Sequence, residues 1–260
     1  MIWRLGVVGF PIEHSLSPEL HEAGLAMAHL RGSSKRVALR DATPEDLRGL
    51  MGAEFDALSV TMPFKETAAT ICDSLEPVSQ RLGVVNSLLA RDGQVLGSCT
   101  DGLGFLDAVD AQFAVRPEGM AVVVFGAGGA ARGIVDALVH AGVGSVVVHG
   151  RTGANVERLK AFSPNVFDHT HALDRTDLVV NTLPVHARSE VNEAVPGVSP
   201  STLAIDITYE PRITAWRAHY EGLGCRTANG LGMLAYQAAL QMQWWWDCPI
   251  DGARLLEAIQ

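Results

Sequence analysis

The sequence predicts an α/β fold with parallel sheets, arranged in two successive units that meet near residue 103. Three observations indicate this fold. Short apolar runs of the buried-strand kind alternate along the chain with segments of helical character. A glycine-rich turn follows one of these runs and opens a helix. The chain has 260 residues, of which 48% are hydrophobic and 19% charged, and this is enough for a substantial buried core.

The first unit is predicted to open with a strand, a turn and a helix. The run RLGVVG, residues 4–9, has the continuous apolar character of a buried parallel strand. The helix lies within residues 14–30, with Ser17 as its expected N-cap and Pro18 in its first turn. The next predicted elements are a strand at 34–40, a helix at 43–51 capped by Thr43, a strand at 55–62, a helix at 64–75, and strands at 83–91 and 93–100 that pair as a hairpin around Asp92 and Gly93.

The second unit starts with a predicted helix at 102–113 and a turn at 116–119. Residues 120–142 then have the pattern of a strand, a glycine loop and a helix. Three further apolar strands and a long C-terminal helix complete the unit. They lie within residues 144–152, 176–184, 201–211 and 229–246.

Charge and cysteine content disfavour several classes of protein. The net charge of −9 argues against general nucleic-acid binding, which needs a basic face. The four cysteines are widely separated and form no C-x-x-C pair, so neither a disulfide framework nor a cysteine zinc site is expected. His169 and His171 lie in a polar connector without an evident third ligand, so no metal site is predicted.

The apolar runs are also too short for a membrane protein. None approaches the ~20 residues that span a bilayer, and the N-terminal run is too short for a signal peptide. We therefore expect a cytoplasmic protein that binds neither membrane nor nucleic acid.

Lysine is rare in this chain, and one lysine lies where functional groups are expected. Lys65 is one of three lysines among 20 basic residues, and it follows an apolar strand that breaks at Pro63. Strand ends are the usual place for functional groups in α/β proteins. Taken alone, Lys65 is also consistent with an exposed charge that opens a helix beside Glu66.

The loop VVVFGAGGAAR has the pattern G-x-G-x-x-A, formed by Gly126, Gly128 and Ala131. It follows a strand and opens a helix, which is the context that a dinucleotide-binding loop requires. Gly126 permits the tight turn, and Gly128 lets a pyrophosphate approach the backbone. The helix N-terminus then offers N–H groups and a positive dipole end to the anion.

The end of the next strand favours NADP over NAD. NAD enzymes commonly place an acidic residue there to bind the ribose. Here the strand continues instead into Arg151 and Thr152, and an arginine can pair with a 2′-phosphate. His149, at the end of the strand, is a further candidate for this contact.

Six short motifs together resemble the shikimate dehydrogenase family along nearly the whole chain, in the order and spacing of that family. They are GFPIEHSLSPELH, SVTMPFKETA, GVVNS, TDGLGF, GAGGAARG with GRT, and NGLGMLAYQAA. The resemblance implies two α/β domains facing each other across a cleft. One is a substrate-binding domain of residues 1–103, completed by helices at 236–260. The other is a Rossmann-type NADP-binding domain of residues 104–235.

The resemblance also implies the reversible NADPH-dependent reduction of 3-dehydroshikimate to shikimate in aromatic amino acid biosynthesis. Carried over residue by residue, it implies that Lys65 and Asp101 are the catalytic pair. The implied substrate contacts are Ser15, Ser17, Thr61, Asn86, Tyr209 and Gln237. The implied cofactor contacts are Gly126, Ala127, Gly128, Gly129, Ala130, Ala131, His149, Arg151, Thr152, Ile207 and Gly230.

The implied chemistry explains the choice of lysine. Hydride delivery to a ketone builds negative charge on its oxygen, which a nearby cation can stabilise and protonate. Lysine can both carry and release a proton, whereas arginine does not readily release one. This favours a catalytic Lys65 over a merely exposed charge, with Asp101 orienting its ammonium group.

The chain departs from the family pattern at three places. Cys99 stands where the family has asparagine, Asn155 where NADP-preferring members have a second arginine, and the loop 181–186 where the family reads Asn-Ala-Thr. Two alternatives therefore stay open. One is a shikimate/quinate or amino-analogue dehydrogenase that uses NAD or NADP, and the other is a catalytically weak NADP-binding sensor. The run Trp244–Trp246 is expected to pack against the substrate domain, although a dimer contact is also open, so the predicted state is a monomer or homodimer.

Overall fold

The computed structural model describes residues 2–184 and 195–260. The chain divides into two compact units, which we call the first unit and the second unit. The first comprises residues up to Gly104 together with Leu234–Gln260, and the second comprises Phe105–Met233. The first unit is therefore made from both ends of the sequence, and the second from one continuous stretch.

The first unit contains a six-stranded sheet. Its strands are β1 (Ile2–Gly9), β2 (Arg31–Ala38), β3 (Ala57–Val60), β4 (Ser74–Leu75), β5 (Ser87–Arg91) and β6 (Gln94–Ser98). They lie in the order β2-β1-β3-β5-β6-β4. The strands β1, β2 and β3 are parallel, whereas β5 runs antiparallel to β3 and to β6. The sheet is mixed, and not parallel throughout as the alternation of elements predicts, because the β5–β6 hairpin is inserted into it.

The helices of the first unit are α1 (Ser17–Met27), α2 (Pro44–Leu50), α3 (Lys65–Thr70), α4 (Pro77–Leu82), α9 (Leu231–Trp246) and α10 (Gly252–Glu257). The helix α5 (Asp101–Phe113) begins in the first unit and continues into the second, and α9 likewise has residues in both units. Thr43 caps α2 as predicted, since its side chain accepts a hydrogen bond from the Asp46 backbone while Asp46 accepts one from the Thr43 backbone. The expected Ser17 cap is wrong, because α1 begins at Ser17 and Leu16 occupies the N-cap position without a side-chain hydrogen bond.

The C-terminal helices supply much of the core of the first unit. Trp245 is 1% exposed, and its indole N–H donates to Ser87 Oγ at 2.8 Å. Trp246 and Trp244 pack at the edge of the same apolar cluster. The tryptophan run therefore serves the packing of its own unit. The buried members of this cluster are Leu5, Leu20, Leu25, Ala57, Leu89, Ala235, Ala238, Ala239, Met242, Trp245, Ile250 and Leu255.

The second unit also contains a six-stranded sheet, and every adjacent pair of its strands is parallel. The strands are β7 (Ala121–Phe125), β8 (Ser145–His149), β9 (Val166–Asp168), β10 (Leu178–Asn181), β11 (Leu203–Asp206) and β12 (Arg226–Asn229), in the order β12-β11-β10-β7-β8-β9. Chain order reverses between β7 and β10, which is the switch point of a doubly wound nucleotide-binding fold. Among the residues of this unit that the structure describes, the helices other than α5 and α9 are α6 (Gly129–His140), α7 (Gly153–Lys160) and α8 (Ala215–Gly222).

Candidate active site

The polar candidates of the first unit gather at one edge of its sheet. The carboxyl ends of β1 and β3 lie at this edge because the two strands are parallel. The antiparallel β5 begins there, and β6 ends there, since Ser59 pairs with Ser87 and Ser87 with Ser98. The residues that follow or precede these strand ends therefore come together although they are far apart in the sequence.

Lys65 and Asp101 form an ion pair at this edge. Lys65 Nζ lies 2.5 Å from Asp101 Oδ2, and the two side chains are 15% and 5% exposed. Lys65 is the first residue of α3, and Asp101 is the first residue of α5. The carboxylate is favoured where it lies because α5 presents its positive dipole end there. Water has little access to the pair, so its charges are screened less than those of a surface pair.

Asn86 connects this pair to the C-terminal helix α9. Its Nδ2 donates to Asp101 Oδ1 at 2.8 Å and to Gln237 Oε1 at 3.0 Å. Its Oδ1 accepts from the backbone N–H of Thr100 at 2.9 Å. The structure therefore brings four candidates, Lys65, Asp101, Asn86 and Gln237, into one hydrogen-bonded cluster. Their contacts with a substrate stay a prediction.

A glycine lets α5 approach α9 at this point. A Cβ on Gly104 would lie 2.5 Å from the backbone nitrogen of Gln237, which is closer than real Cβ contacts. Thr100 Oγ1 also donates to the carbonyl of Gln237 at 3.0 Å. The backbone of α9 is thus held where the side chain of Gln237 meets Asn86.

Sequence reasoning missed three buried polar residues that extend this cluster: Gln241, Ser59 and His21. Gln241 Nε2 donates to Gln237 Oε1 at 2.7 Å, and Ser59 Oγ donates to Gln241 Oε1 at 2.5 Å. His21 Nε2 lies 3.0 Å from Ser59 Oγ. Burial lowers the pKa of His21 to about 3, so this imidazole is neutral. The available signal was the spacing of two glutamines four residues apart on one helix, which places them on the same face.

Ser15 and Ser17, the residues implied for a substrate carboxylate, lie side by side. Their hydroxyl oxygens are 3.2 Å apart, and both residues are buried. Arg36, which the sequence did not single out, donates from Nε to the carbonyl of Ser15 at 2.8 Å and pairs with Glu19. The guanidinium group therefore fixes the loop that carries the two hydroxyls.

Thr61 follows β3 and Cys99 follows β6, so both residues lie at the same edge of the sheet. The backbone N–H of Thr61 donates to the carbonyl of Val8 at 2.9 Å, which continues the pairing of β1 and β3 beyond their ends. Gly9 is needed opposite, because a Cβ there would lie 2.3 Å from Thr61 Cγ2. Cys99 is buried, and its Sγ lies 4.0 Å from Asp101 Oδ2, the oxygen that binds Lys65. The thiol of Cys99, a weak hydrogen-bond donor, therefore lies near the carboxylate of Asp101, at the position where the family pattern has asparagine.

The glycine loop of the second unit joins β7 to α6 at the switch point of the sheet. Gly126 has φ +111°, and a Cβ there would lie 2.1 Å from Thr182 Oγ1, so only glycine fits. Gly128 occupies the N-cap position of α6 without a side-chain cap, and a Cβ there would meet no heavy atom within 4 Å. Ala131 is fully buried against the sheet. Ala127 lies in the turn, and Gly129 and Ala130 are the first two residues of α6.

This loop fits the pyrophosphate of a dinucleotide. The open space at Gly128 lets an anion reach the backbone, and the uncapped first turn of α6 leaves N–H groups for it. A side chain at position 128 would fill that space. The fit is therefore a property of the backbone itself.

His149, Arg151 and Thr152 lie at the end of β8, beside the loop. The backbone N–H of Gly126 donates to the carbonyl of His149 at 2.8 Å, which ties the two strand ends together. The His149 ring packs against Phe125 with 4.8 Å between centroids. Arg151 is exposed, and Thr152 is the N-cap of α7. Asn155, in the first turn of that helix, supplies no second cation.

The remaining cofactor candidates meet at the end of β11. A Cβ on Gly230 would lie 1.8 Å from the carbonyl oxygen of Ile207, so this position requires glycine. Tyr209 is half-buried nearby in the chain and belongs to the second unit. The loop 181–186 can be described only to Pro184, and its last two residues, Val185 and His186, lie outside the described residues.

The described ranges, 2–184 and 195–260, contain no group of three or more His, Cys, Asp or Glu that could hold a metal ion. No helix in these ranges is long and apolar enough to cross a membrane.

The doubly wound second unit and its open glycine loop, together with the lysine–carboxylate pair of the first unit, define the class as a dinucleotide-dependent oxidoreductase. Residues 7–88 match the family model of the shikimate dehydrogenase substrate binding domain. Residues 121–210 match the model described as NADP oxidoreductase, coenzyme F420-dependent. The chain belongs to the shikimate dehydrogenase family.

Relatives match along nearly the full length. The chain is 37% identical to a shikimate dehydrogenase (NADP⁺) of Methylobacterium radiotolerans, over 93% of this chain and 90% of the relative. It is 33% identical to one from Exiguobacterium sp., over 98% of both. The crystal structure of shikimate 5-dehydrogenase from Thermus thermophilus in complex with NADP(H) and shikimate superposes with a TM-score of 0.86. That match has 31% identity and covers 99% of this chain and 98% of the other.

Proposed function

We propose that the protein is an NADP-dependent shikimate dehydrogenase that catalyses the reversible reduction of 3-dehydroshikimate to shikimate. The observation that carries this proposal is the partly buried pair of Lys65 and Asp101, 2.5 Å apart, at the sheet edge where the serine pair also lies. Family membership supports the same activity. The first unit binds the substrate, and the second binds the cofactor.

Lys65 is the acid–base group of the proposed reaction. Its Nζ gives a proton to the carbonyl oxygen of 3-dehydroshikimate as the alcohol forms, and it takes the proton back in the oxidation of shikimate. Asp101 holds the ammonium group through Oδ2 and keeps its own second oxygen on Asn86. The adjacent hydroxyls of Ser15 and Ser17 donate to the substrate carboxylate, and the remaining polar groups of the substrate are served by Thr61, Asn86, Tyr209 and Gln237.

NADP(H), when bound, supplies the hydride chemistry. The backbone of Gly126–Ala131 would hold its pyrophosphate, and Arg151 with Thr152 and His149 would hold the 2′-phosphate. Ile207 and Gly230 would supply the remaining contacts of the cofactor. Arg151 suits this task because a guanidinium group can donate two parallel hydrogen bonds to a phosphate.

Initial rates of the purified protein test the proposal. Shikimate is supplied with NADP⁺ or with NAD⁺, and the series is repeated with quinate and with an amino-substituted analogue of shikimate. We expect reduction of NADP⁺ with shikimate and much slower reduction of NAD⁺. Equal rates with NAD⁺, or turnover of quinate or the amino analogue, would replace the proposal by a dehydrogenase of broader specificity. A folded protein that binds NADPH and turns over none of these substrates would be a cofactor-binding sensor.

We further propose that the enzyme works in the cytoplasm, as a monomer or homodimer, without a nucleic-acid partner. The net charge of −9 supports the last point, because phosphate backbones repel an acidic surface. Light scattering coupled to gel filtration gives the oligomeric state. A retained nucleic acid, seen as high absorbance in the ultraviolet band of the bases, would contradict the proposal.

A further inference from the structure

The hydrogen bonds around Gln237 determine which way its side-chain amide faces. Two backbone groups make the assignment unambiguous. The N–H of Thr100 donates to one side-chain atom of Asn86, which must therefore be its oxygen, at 2.9 Å. The carbonyl of Asn86 accepts from one side-chain atom of Gln241, which must be its nitrogen, at 3.0 Å. Asn86 and Gln241 thus both turn an NH₂ group toward Gln237.

The amide oxygen of Gln237 is consequently saturated from inside the protein. It accepts from Asn86 Nδ2 at 3.0 Å and from Gln241 Nε2 at 2.7 Å, which uses both lone pairs. Gln237 Nε2 donates one hydrogen to the carbonyl of Leu234 at 3.0 Å. The side chain therefore retains only a donor, its second Nε2 hydrogen, for any further contact.

The side chain of Gln241 is held in turn by a series of hydrogen bonds on the side away from Gln237. Its oxygen accepts from Ser59, whose hydroxyl proton is thereby used, so Ser59 accepts from the Nε2–H of His21. The neutral imidazole then accepts at Nδ1 from Ser34 Oγ at 2.8 Å. This chain of donors leaves Gln241 no alternative but to donate toward Gln237. Its three inner members, Gln241, Ser59 and His21, are only 1%, 5% and 0% exposed.

We propose that Gln241 is a positioning residue that fixes the amide of Gln237, so that Gln237 recognises only a substrate oxygen able to receive a hydrogen bond. The proposal rests on the proposed function, in which Gln237 contacts the substrate. Without Gln241, the Gln237 oxygen loses one of its two donors, and only Asn86 Nδ2 and the carbonyl of Leu234 still hold the amide. The amide is then held less firmly toward the substrate, and substrate binding weakens.

The test uses Gln241→Met, which keeps the volume of the side chain and removes the donor. We expect the KM for shikimate to rise roughly 3- to 10-fold, the range for one lost neutral hydrogen bond. The kcat and the KM for NADP⁺ should change by less than about 2-fold, since neither depends on this amide. Gln243→Met on the exposed face of the same helix is the matched control and should leave all three constants unchanged.

A double-mutant cycle distinguishes positioning from general support of the fold. If Gln241 acts through Gln237, adding Gln241→Met to Gln237→Met should raise the KM for shikimate no further. A further rise in the double variant would overturn the proposal. So would a shift of both KM values together with a lowered Tm in Gln241→Met, because it would reveal a structural role.

A readout without turnover separates this inference from the proposed function. The side-chain amide signals of Gln237, assigned by their loss in Gln237→Met, are followed by ¹H–¹⁵N NMR. We expect slow hydrogen exchange in the wild type and at least about 10-fold faster exchange in Gln241→Met, since an amide held at its oxygen is protected. Unchanged exchange would overturn the inference. An inactive wild type with this NMR difference would instead refute only the assignment of the substrate.

Discussion

The ammonium group of Lys65 and the carboxylate of Asp101 pair at 2.5 Å in a site where the side chains are only 15% and 5% exposed. A surface pair of this kind contributes little to stability. Here the removal of one partner leaves the other charge partly buried without compensation, which is costly. A substitution that removes the charge of either Lys65 or Asp101 should therefore destabilise the site.

Replacing Lys65 by alanine should lower kcat by roughly 10²–10⁴-fold with a much smaller change in KM, as expected for a lost acid–base group. Lys65→Arg keeps the cation but does not readily release a proton, so its kcat should also fall. Steady-state rates with shikimate and NADP⁺ measure both effects. The exposed Lys35 provides the control, because Lys35→Ala should retain normal turnover. Near-normal kcat in Lys65→Ala would refute the catalytic assignment.

Two glycines of the cofactor loop should respond differently to alanine. Gly126→Ala forces a Cβ into Thr182 and strains a φ of +111°, so it should lower both the Tm and the affinity for NADPH. Gly128→Ala meets no protein atom, so the Tm should hold while NADPH affinity falls about 10-fold or more. Thermal unfolding and NADPH fluorescence titration measure these quantities. Unchanged NADPH affinity in Gly128→Ala would contradict the placement of the pyrophosphate.

Arg151 should decide the preference between the two coenzymes. A hydrogen bond to a charged group contributes about 1.5–3 kcal/mol, so Arg151→Ala should raise the KM for NADP⁺ by roughly 10- to 150-fold. The KM for NAD⁺, which lacks the 2′-phosphate, should change little. Asn155→Arg adds a second cation in the first turn of α7 and should lower the KM for NADP⁺. Parallel rises for both coenzymes in Arg151→Ala would show that the residue serves another part of the site.

The neutral His21 should make the fold sensitive to acid. Burial lowers its pKa to about 3, whereas the unfolded chain has the ordinary value near 6.5. Between these values the unfolded state binds a proton that the folded state does not. The contribution of the neutral His21 to the free energy of unfolding is therefore fully present above pH 6.5 and is lost as the pH falls toward 3. At pH 5 this loss is about 2 kcal/mol.

Urea unfolding at about pH 7 and about pH 5 measures the effect. The difference in free energy of unfolding between the two pH values should shrink in His21→Gln by about the same amount. His29 is exposed, and its φ of +55° is tolerated by asparagine, so His29→Asn should keep the full difference. An equal pH dependence in wild type and His21→Gln would assign the acid sensitivity to other groups.

The parts of the fold that the sequence predicts are those where one local rule dominates. The strand before Gly126 is apolar throughout and buried on both faces, and the capping box at Thr43 is a local pattern. Two of the missed elements lack such signals. The strand β12 (Arg226–Asn229) is polar and runs almost directly into α9, while α4 (Pro77–Leu82) has only six residues. Both are stabilised by their tertiary neighbours more than by propensity.

The same contrast holds for the site. Lys65, Asp101 and the glycine loop stand out in short motifs, and these motifs could be recognised without a structure. Gln241 and Ser59 do not, because a glutamine within a helix or a serine within a strand is usually exposed. Their importance follows from burial and from partners that are 182 residues apart in the chain. Hydrogen bonds over such separations depend on the assembled fold, so no local pattern indicates them.

The order of the chain has a consequence for its synthesis. Residues 105–233 form a unit from one continuous stretch, so this unit can fold as soon as it leaves the ribosome. The N-terminal unit cannot, because Trp245, Gln237 and much of its apolar core come from the last segment. Its sheet must wait with an uncovered face while the nucleotide-binding unit forms. A nascent chain therefore completes the hydrogen-bonded cluster of Lys65, Asp101, Asn86 and Gln237 only after α9 has been translated.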